Sequence, residues 1–277
     1  MIKIAFVILT WNSEKYIKKC LNSIINLSFD EIRIVIIDNG SSDNTVNLIK
    51  DININNENYY LDLIKLDSNL GTTISRNIGI KKIQDKVDYL CILDSDTIVN
   101  QIAINHMIEV LNENEQNGII GPVMKTSEGR IQLSGRKIPT LTTKILKILP
   151  FKFAKKKGEL LEVVDIKYNN NNIFKVGYLM SACWLMKIKL VKEIGRLDEN
   201  IFYAPEDVEF CMRAWLYGYN VVYDKNVEII HEWQRISRKK LFSKHNWEHI
   251  KGLIYLYFKY KFIFSTKKFE RIIYKNK

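Results

Sequence analysis

The sequence lacks any long uninterrupted hydrophobic run. A transmembrane helix needs roughly 18–20 consecutive uncharged residues, whereas the richest stretch, residues 252–265, is shorter and contains Lys259 and Lys261. The amino terminus enters an apolar run at once, without a basic leader or a small-residue cleavage site, so no signal peptide is evident. These two absences predict a cytoplasmic protein.

Cysteine is scarce and scattered. The four cysteines lie in apolar contexts, and their spacing fits no metal site. We therefore expect buried, reduced thiols. Two nucleotide-binding signatures are also missing, because the glycines after residue 67 do not fit a dinucleotide fingerprint and no phosphate-loop Lys-Ser or Lys-Thr pair is present.

Positive charge is concentrated in one region of a chain that otherwise has little net charge. Of the 277 residues, 47% are hydrophobic, which is enough for a sizeable core. The net charge is +11, and residues 232–277 contain thirteen Lys and Arg against three Glu, a net of +10. Residues 1–231 are therefore nearly neutral, and the tail needs an explanation of its own.

The most informative stretch is residues 89–97, where an apolar run ends in two aspartates. Residues 89–93 predict a strand buried on both faces of a parallel sheet, and Asp94 and Asp96 follow it. Carboxylates two residues apart in an extended segment project to the same side, and open α/β sheets bind ligands at this edge. The pair predicts a site for Mg²⁺ or Mn²⁺ and a substrate's phosphates. The alternative is a turn that only caps the next helix.

Apolar strands alternate with helical patterns along the first half of the chain. Four segments predict strands: residues 3–9, 32–37, 59–66 and 118–125. Helices are predicted between them, one after an N-cap at Asn12 or Ser13 and another from residue 101 to about residue 111. This alternation is typical of an α/β fold with a mainly parallel sheet flanked by helices. Residues 140–172 are less regular and are interpreted as a mobile excursion over one face of the sheet.

Two loops that follow strands carry candidate nucleotide-binding residues. Asp38 ends the second strand, where an acid either caps the next helix or accepts a hydrogen bond from a base or ribose. Residues 67–79 lead into a helix whose amino terminus and early Arg76 suit an anion. The alternative there is an ordinary capped helix with a surface arginine.

Glu206 and Asp207 stand at the start of a helix in the last third of the chain. Acids in a first turn commonly only offset the helix dipole, but one that faces the sheet would serve as a general base. Residues 221–223 and 227–230 predict two short strands, and His231 closes the second as either a structural residue or a ligand for metal or phosphate. The predicted buried stripe of the helix is Val208, Cys211, Met212, Trp215 and Leu216.

Together these segments resemble family 2 glycosyltransferases of the GT-A fold. No single motif is specific, but seven of them occur in the order seen in that family, over roughly residues 3–260. Within the family the chain looks most similar to bacterial rhamnosyltransferase-like enzymes, partly through Arg235, Arg238 and His245 in the tail. The motifs are residues 8–12, 38–43, 69–71 with 76–79, 94–96, 206–209 with Arg213, 218–219, and His231.

The resemblance implies roles for individual residues. Asp96 would bind the metal and His231 would complete its site, while Asp207 would be the catalytic base, with Glu206 as the alternative. Trp11 departs from the Tyr or Phe that is more usual at its position. The implied donor-binding residues are Thr10, Trp11, Asn12, Asp38, Asn69, Gly71, Arg76, Asp94 and Ser95.

The reaction implied by the resemblance is the inverting, Mg²⁺- or Mn²⁺-dependent transfer of a sugar from a dTDP- or UDP-linked donor. The acceptor would be a saccharide or a lipid-linked molecule in bacterial surface polysaccharide synthesis, with no nucleic acid as partner. Residues 1–231 would form the GT-A catalytic domain, with a nucleotide-sugar half at 1–125 and an acceptor half at 126–231. Residues 232–277 would be a basic amphipathic helical extension. It either packs on its own domain or lies peripherally on the anionic inner face of the cell membrane, which we favour.

Two other functions fit parts of the sequence. A nucleotidyltransferase of related fold would share the metal carboxylates but needs a basic phosphate-activating motif near its amino terminus, where residues 10–15 offer one lysine. A basic nucleic-acid-binding protein would explain the tail. It would not explain three acids at strand ends, which repel phosphate unless a metal intervenes.

Overall fold

The chain folds around one large sheet with helices on both faces. The computed structural model describes residues 1–54, 56–149, 151–164, 171–232, 244–262 and 265–274. The strands within these residues are β1 (Lys3–Thr10), β2 (Glu31–Asp38), β3 (Tyr59–Lys65), β4 (Tyr89–Asp94), β5 (Thr97–Ile98), β6 (Asn117–Lys125), β7 (Ile131–Gln132), β8 (Gly135–Arg136), β9 (Ile173–Lys175), β10 (Tyr178–Leu179), β11 (Cys183–Lys187) and β12 (Asn220–His231). The helices are α1 (Ile17–Ile25), α2 (Thr45–Lys50), α3 (Thr72–Ile83), α4 (Gln101–Glu113), α5 (Leu141–Ile148), α6 (Lys152–Glu162), α7 (Ile188–Ile194), α8 (Glu206–Leu216), α9 (Lys244–Tyr260) and α10 (Lys267–Ile273).

The central sheet is mixed but mostly parallel. Its strands follow the order β3-β2-β1-β4-β11-β6-β12-β5, with β7 paired to β6 and β9 paired to β12. Strands β3, β2, β1 and β4 are parallel, β11 runs antiparallel between β4 and β6, and β12 is parallel to β6. A separate two-stranded sheet joins β8 and β10. The predicted fold class is confirmed.

The core forms two layers, one on each face of the sheet, and β1 shows how the sequence creates them. Ala5 and Val7 belong to the cluster that includes α3 and α8, whereas Ile4, Phe6 and Ile8 belong to the cluster that includes α1 and α4. All five are fully buried. The period of two puts alternate residues on opposite faces, so a strand covered on both faces is apolar throughout. The four cysteines are buried and free, as predicted.

The segment at residues 140–172 is more regular than predicted. It contains α5 and α6, so the interpretation as an irregular excursion is wrong for residues 141–148 and 152–162. The sequence pattern did not predict helix α6, because its buried face consists of Ala154, Gly158 and Glu162, while its large apolar residues are exposed. An apolar period therefore could not mark the inward face of this helix.

Three boundary predictions also differ from the structure. Helix α1 begins only at Ile17, because Asn12 adopts a left-handed conformation (φ 51°) and the carbonyl of Ser13 accepts a turn hydrogen bond from Tyr16 N–H. Leu216, predicted to be buried, is 40% exposed at the end of α8. The two strands predicted after residue 220 are one strand, β12, with a bulge between residues 224 and 228.

The carboxyl-terminal helices pack into the same core as α8. Leu256 and Tyr257 on α9 and Phe269 on α10 are buried in that cluster. Glu209 on α8 accepts hydrogen bonds from Lys259 (2.8 Å) and Tyr260 (2.7 Å), which fastens the end of α9. Residues 233–243, including positions 235 and 238 of the resemblance, lie outside the described residues. Among the described residues no helix is both long and apolar enough to cross a membrane.

Candidate active site

The carboxyl ends of three parallel strands lie side by side and define one edge of the site. In the sheet register Thr10 of β1 is paired with Asp38 of β2, and Leu9 is paired with Asp94 of β4. Since all three strands point the same way, the polar residues that end them meet at one edge. This is where the sequence predicted the nucleotide to bind.

Asn39, which the sequence interpretation did not select, organises the loops at this edge. Its side-chain oxygen accepts hydrogen bonds from Leu70 N–H and Ser75 Oγ, both at 2.9 Å. Its amide nitrogen donates to Asn69 Oδ1 (3.0 Å) and to the carbonyl of Gly71 (3.2 Å). The predicted donor residues Asn69 and Gly71 are thus held by a neighbour within the motif at residues 38–43.

Gly71 is required by its backbone. Its φ of +86° lies in the region that favours glycine, and a Cβ there would overlap the backbone and ring of Phe202. Thr72 N–H donates to the carbonyl of Phe202 at 2.7 Å, so the first amide of α3 is already satisfied. The segment before α8 therefore packs directly against the loop that begins α3.

Two buried polar atoms at the strand ends have no hydrogen-bond partner within the part of the chain that the structure describes. They are Thr10 Oγ1 and Asp38 Oδ1, although Asp38 Oδ2 accepts from Ser41 N–H at 3.1 Å. An unsatisfied buried polar atom costs about 1–3 kcal/mol. A donor supplied by a ligand would remove that cost, as expected of a pocket for a nucleotide base.

The other predicted donor residues of this edge are fixed in the surrounding loops. Asn12 N–H donates to Ser41 Oγ at 2.9 Å, and Asn12 Oδ1 accepts from Ser42 N–H at 2.8 Å. Ser95 shares a hydrogen bond of 2.8 Å with Ser13 beneath the edge. Trp11 is partly buried between Thr10 and Asn12. The loops after β1, β2 and β4 are therefore cross-linked before any ligand binds.

Asp94, Asp96 and His231 form a group suited to a divalent cation. One ligand atom from each lies within 4.8 Å of the others, so the predicted convergence of the two carboxylates is confirmed. His231 reaches them because it pairs with Thr97 across β12 and β5, which places its Nε2 3.3 Å from Asp96 Oδ1. The two carboxylates suit Mn²⁺ or Mg²⁺, and the imidazole nitrogen favours a transition metal such as Mn²⁺ over Mg²⁺.

Gln132 fixes the imidazole ring of His231, and no motif in the sequence predicted this role. Gln132 Oε1 lies 2.5 Å from His231 Nδ1, and both residues are buried. A carbonyl oxygen can only accept, so Nδ1 carries the proton of this bond and Nε2 faces Asp96. Burial lowers the pKa of His231, but the hydrogen bond and charge of Asp96 outweigh it and raise that pKa overall.

Arg76 bridges the metal-binding group and the helix with the proposed base. It is 2% exposed, so the alternative of a surface arginine is wrong. Its Nη2 lies 2.7 Å from Asp94 Oδ1 and 3.2 Å from the carbonyl of Ser181, and its Nη1 lies 3.3 Å from Glu206 Oε1. A buried guanidinium that compensates two carboxylates is held firmly in one geometry.

The two acids at the start of α8 have different surroundings. Glu206 is 6% exposed and accepts from Ser181 Oγ (2.9 Å), a second residue without a sequence signal. Burial, reinforced by the negative charge of Asp207, raises the pKa of Glu206 to about 8. Asp207 is partly exposed and accepts from Val208 N–H. Burial also raises the pKa of Asp207, against the charges of Lys144 and Arg136.

Arg76 thus joins the Asp-Asp-His group to the first turn of α8 beside the carboxyl ends of the parallel strands. The model for "Glycosyl transferase family 2" matches residues 5–195, more than half of the chain. The chain belongs to glycosyl transferase family 2. This match confirms the predicted family and the predicted glycosyltransferase class. It argues against the nucleotidyltransferase and nucleic-acid-binding alternatives.

The curated relatives are distant from this chain in sequence and are longer than it. Poly-beta-1,6-N-acetyl-D-glucosamine synthase of Staphylococcus aureus (strain COL) is 29% identical over 221 residues, which cover 80% of this chain and 48% of the relative. The chain thus spans about half the length of the curated relatives it matches. This relative is not named a rhamnosyltransferase, so that narrower likeness stays a prediction.

Two solved structures support the fold. S. aureus TarS 1–349 in complex with UDP-GlcNAc superposes with a TM-score of 0.61 and 18% identity, covering 99% of this chain and 71% of that fragment. The mannosyltransferase PcManGT from Pyrobaculum calidifontis, in complex with GDP-Man and Mn²⁺, gives a TM-score of 0.62 and 12% identity, covering 94% and 64%. At these identities the likeness concerns the GT-A fold alone.

Proposed function

We propose that the protein is an inverting, metal-dependent glycosyltransferase that uses a nucleotide-diphosphate sugar. Its acceptor is a saccharide or lipid-linked molecule of bacterial surface polysaccharide synthesis. The observation that carries the proposal is the arrangement around Arg76, with Asp94, Asp96 and His231 on one side and Glu206 and Asp207 on the other. A donor diphosphate and an acceptor hydroxyl need these two kinds of group close together.

The donor half is proposed as residues 1–125 and the acceptor half as residues 126–231. Thr10, Trp11 and Asp38 contact the base, while Asn69, Gly71 and Ser95 shape the walls of the donor pocket. We propose a UDP-linked sugar as the first candidate because TarS was solved with UDP-GlcNAc and the staphylococcal relative is named for N-acetylglucosamine. A dTDP-linked rhamnose is the second candidate.

The chemistry assigned to the chain is a single displacement. A divalent cation held by Asp94, Asp96 and His231 would neutralise charge on the departing diphosphate. Asp207 takes the proton of the acceptor hydroxyl while that oxygen forms its bond to the anomeric carbon, and the bond from that carbon to the diphosphate oxygen breaks. One such displacement inverts the anomeric configuration. Glu206 is the poorer candidate, because it is buried and already bonded to Arg76 and Ser181, whereas Asp207 is partly exposed.

Calorimetric titration with UDP, dTDP and GDP, each with and without Mn²⁺, tests the donor assignment. We expect one nucleotide to bind in a Mn²⁺-dependent manner, and Asp96→Ala to lose that dependence. Asp85→Ala is the matched control, since Asp85 is an exposed acid that pairs with Lys192. Binding of no nucleotide under either condition would contradict the proposal, as would equal losses in both variants.

A further inference from the structure

Helix α6 presents its large apolar side chains to solvent, and Ala154, Gly158 and Glu162 to the protein. Phe153 is 75% exposed, and Leu160 and Leu161 are also exposed. The buried residues are Ala154, Gly158 and Glu162, spaced four apart on the opposite face. A Cβ on Gly158 would crowd Lys147 and the carbonyl of Thr143, so the close packing of α6 on α5 needs a glycine there. The outward apolar residues therefore contribute nothing to this packing.

Helix α9 shows the same arrangement on a larger scale. Trp247, Ile250, Ile254 and Phe258 recur every three or four residues and are all exposed, Phe258 at 71%. On the opposite face Gly252, Leu253 and Leu256 are buried against the domain. The helix thus has one apolar face that completes the core and a second that the described structure leaves uncovered.

The two helices lie on the same side of the molecule, beside the proposed base. His249 on α9 is close enough to Lys144 and Glu162 for their charges to act on it, and burial followed by the charge of Lys144 lowers its pKa to about 4. A Cβ on Gly252 would meet the carbonyl of Ala204, two residues before Glu206. The buried face of α9 therefore lies beside the segment that leads into α8, and its exposed apolar residues lie on the opposite face.

Lysines accompany the apolar residues and indicate which partner covers them. Helix α6 carries exposed Lys152, Lys155, Lys156 and Lys157, and Lys251 and Lys261 are exposed at α9. A second copy of the chain would bring the same lysines against one another, which is unfavourable. Anionic headgroups above an apolar layer match both features of this face.

We propose that α6 and α9 together form a docking surface for an anionic lipid bilayer. This lipid-docking surface consists of Phe153, Leu160, Leu161, Trp247, Ile250, Ile254 and Phe258, with the lysines around them. Its apolar side chains enter the acyl boundary and its lysines contact headgroups. The surface stands independently of the donor chemistry. Only its use, to hold the base over a lipid-linked acceptor, rests on the proposed function.

Flotation of the full chain with vesicles tests the surface. We expect flotation with vesicles of phosphatidylcholine and phosphatidylglycerol, and little with phosphatidylcholine alone. Lys155→Glu/Lys156→Glu should weaken partitioning at least about tenfold, since each lysine near an anionic surface contributes about 1 kcal/mol. Its matched control is Lys18→Glu/Lys19→Glu on α1, where both lysines are also exposed.

Replacing apolar residues with aspartate tests how much each helix contributes to the surface. Phe153→Asp on α6 and Phe258→Asp on α9 should each reduce flotation, whereas Ile102→Asp on α4, a residue 77% exposed, should not. Thermal unfolding of each variant shows that it is folded. If only Phe258→Asp acts, α6 is not part of the surface. Flotation that does not depend on anionic lipid would overturn the proposal. So would a wild-type protein that forms concentration-dependent dimers that these variants do not form.

Nucleotide titration on the same variants separates this proposal from the proposed function. Phe153→Asp and Phe258→Asp should bind nucleotide as the wild type does, because neither residue lies at the strand-end edge. Absence of nucleotide binding in the wild type, with flotation intact, removes the proposed function and leaves the surface. Nucleotide binding by the wild type without flotation would remove the lipid-docking surface and leave the proposed function.

Discussion

Helices α1 and α6, which lie in the proposed donor half and the proposed acceptor half, place their apolar residues in opposite ways. In α1 the apolar residues Ile17, Leu21 and Ile24 are buried, so the helical pattern of the sequence marks the core. In α6 the buried residues are Ala154, Gly158 and Glu162, and the apolar ones are outside. An apolar period therefore marks the face with which a helix makes apolar contacts. In α1 that face packs on the sheet, whereas in α6 it is available to an external partner.

Polar groups also differ between the strand-end edge and the surroundings of α6. At the donor edge Thr10 Oγ1 and Asp38 Oδ1 are buried without a partner among the described residues. On the acceptor side, Glu162 is ion-paired with Lys144, Lys147 and Arg136. One side leaves hydrogen-bonding capacity for a ligand, while the other is held together by its own charges. The variants below test this contrast.

Asp207→Asn should have the largest effect. Removal of the base is expected to lower the transfer rate by about 10²–10⁴-fold, the range typical of general base catalysis. Nucleotide affinity should change little, because Asp207 lies on α8 and not at the strand ends. Product formation and calorimetry, run on the same preparation, give the two numbers.

Glu206→Gln is the neighbouring comparison. Glu206 is tied to Arg76 and Ser181, so its loss should disturb stability as well as rate. If Glu206→Gln loses all transfer while Asp207→Asn keeps most of it, the roles of the two acids are exchanged.

Arg76→Met should destabilise the fold by about 3–5 kcal/mol, because it leaves the buried Glu206 and the partly buried Asp94 without their counter-charge. Denaturant unfolding measures the change in free energy. The matched control is Arg130→Met, whose partner Glu128 is exposed and whose ion pair contributes at most about 1 kcal/mol. Similar losses in both variants would show that Arg76 does not hold the two halves together.

Glu162→Gln tests the charge network under α6. The cations around Glu162 lower its pKa from 4.5 to about 2, against the effect of burial. A lowered folded-state pKa means that the ionised form contributes stability above pH 4.5, and that this contribution is lost as the pH falls towards 2. The shift corresponds to about 3 kcal/mol.

The measurement is the difference in unfolding free energy between wild type and Glu162→Gln as a function of pH. It should be largest at neutral pH and shrink between pH 4.5 and 2. Glu128→Gln, which alters an exposed acid, should show no such trend. A difference that is constant over this pH range would contradict a role for the charge of Glu162.

The sequence was sufficient for the donor edge because each strand there is apolar until it ends in a polar residue. Asp38, Asp94 and Asp96 could be placed from that change alone, and parallel pairing brings them together. His231 could be placed at a strand end, but its approach to Asp96 depends on the antiparallel pairing of β12 with β5. A pairing between distant segments has no local signal.

The residues that the sequence missed act through tertiary contacts. Gln132 ends the two-residue strand β7 and Ser181 lies between β10 and β11, and their partners His231 and Glu206 are distant in sequence. Arg76 was predicted to bind an anion, whereas its burial between two carboxylates depends on the approach of Glu206, which is distant in sequence. Helices α5 and α6 were missed because their inward faces do not show the expected apolar period.

Thr10→Val should have the smallest effect on stability and still distinguish the two halves. Thr10 Oγ1 has no protein partner in the described structure, so the free energy of unfolding should change by less than about 1 kcal/mol. If this hydroxyl bonds the nucleotide, affinity should fall about fivefold, which corresponds to about 1 kcal/mol.

Thr45→Val is the control for Thr10→Val, because Thr45 is equally buried but its Oγ1 accepts from Ser13 N–H at 2.7 Å. This substitution leaves a buried amide unsatisfied and should cost about 1–3 kcal/mol of stability. If the strand-end edge binds a nucleotide, the two substitutions should have opposite outcomes. Thr10→Val should lower nucleotide affinity, and Thr45→Val should lower stability. Equal losses of stability would mean that Thr10 is an ordinary structural residue, and the contrast between the two halves would no longer hold there.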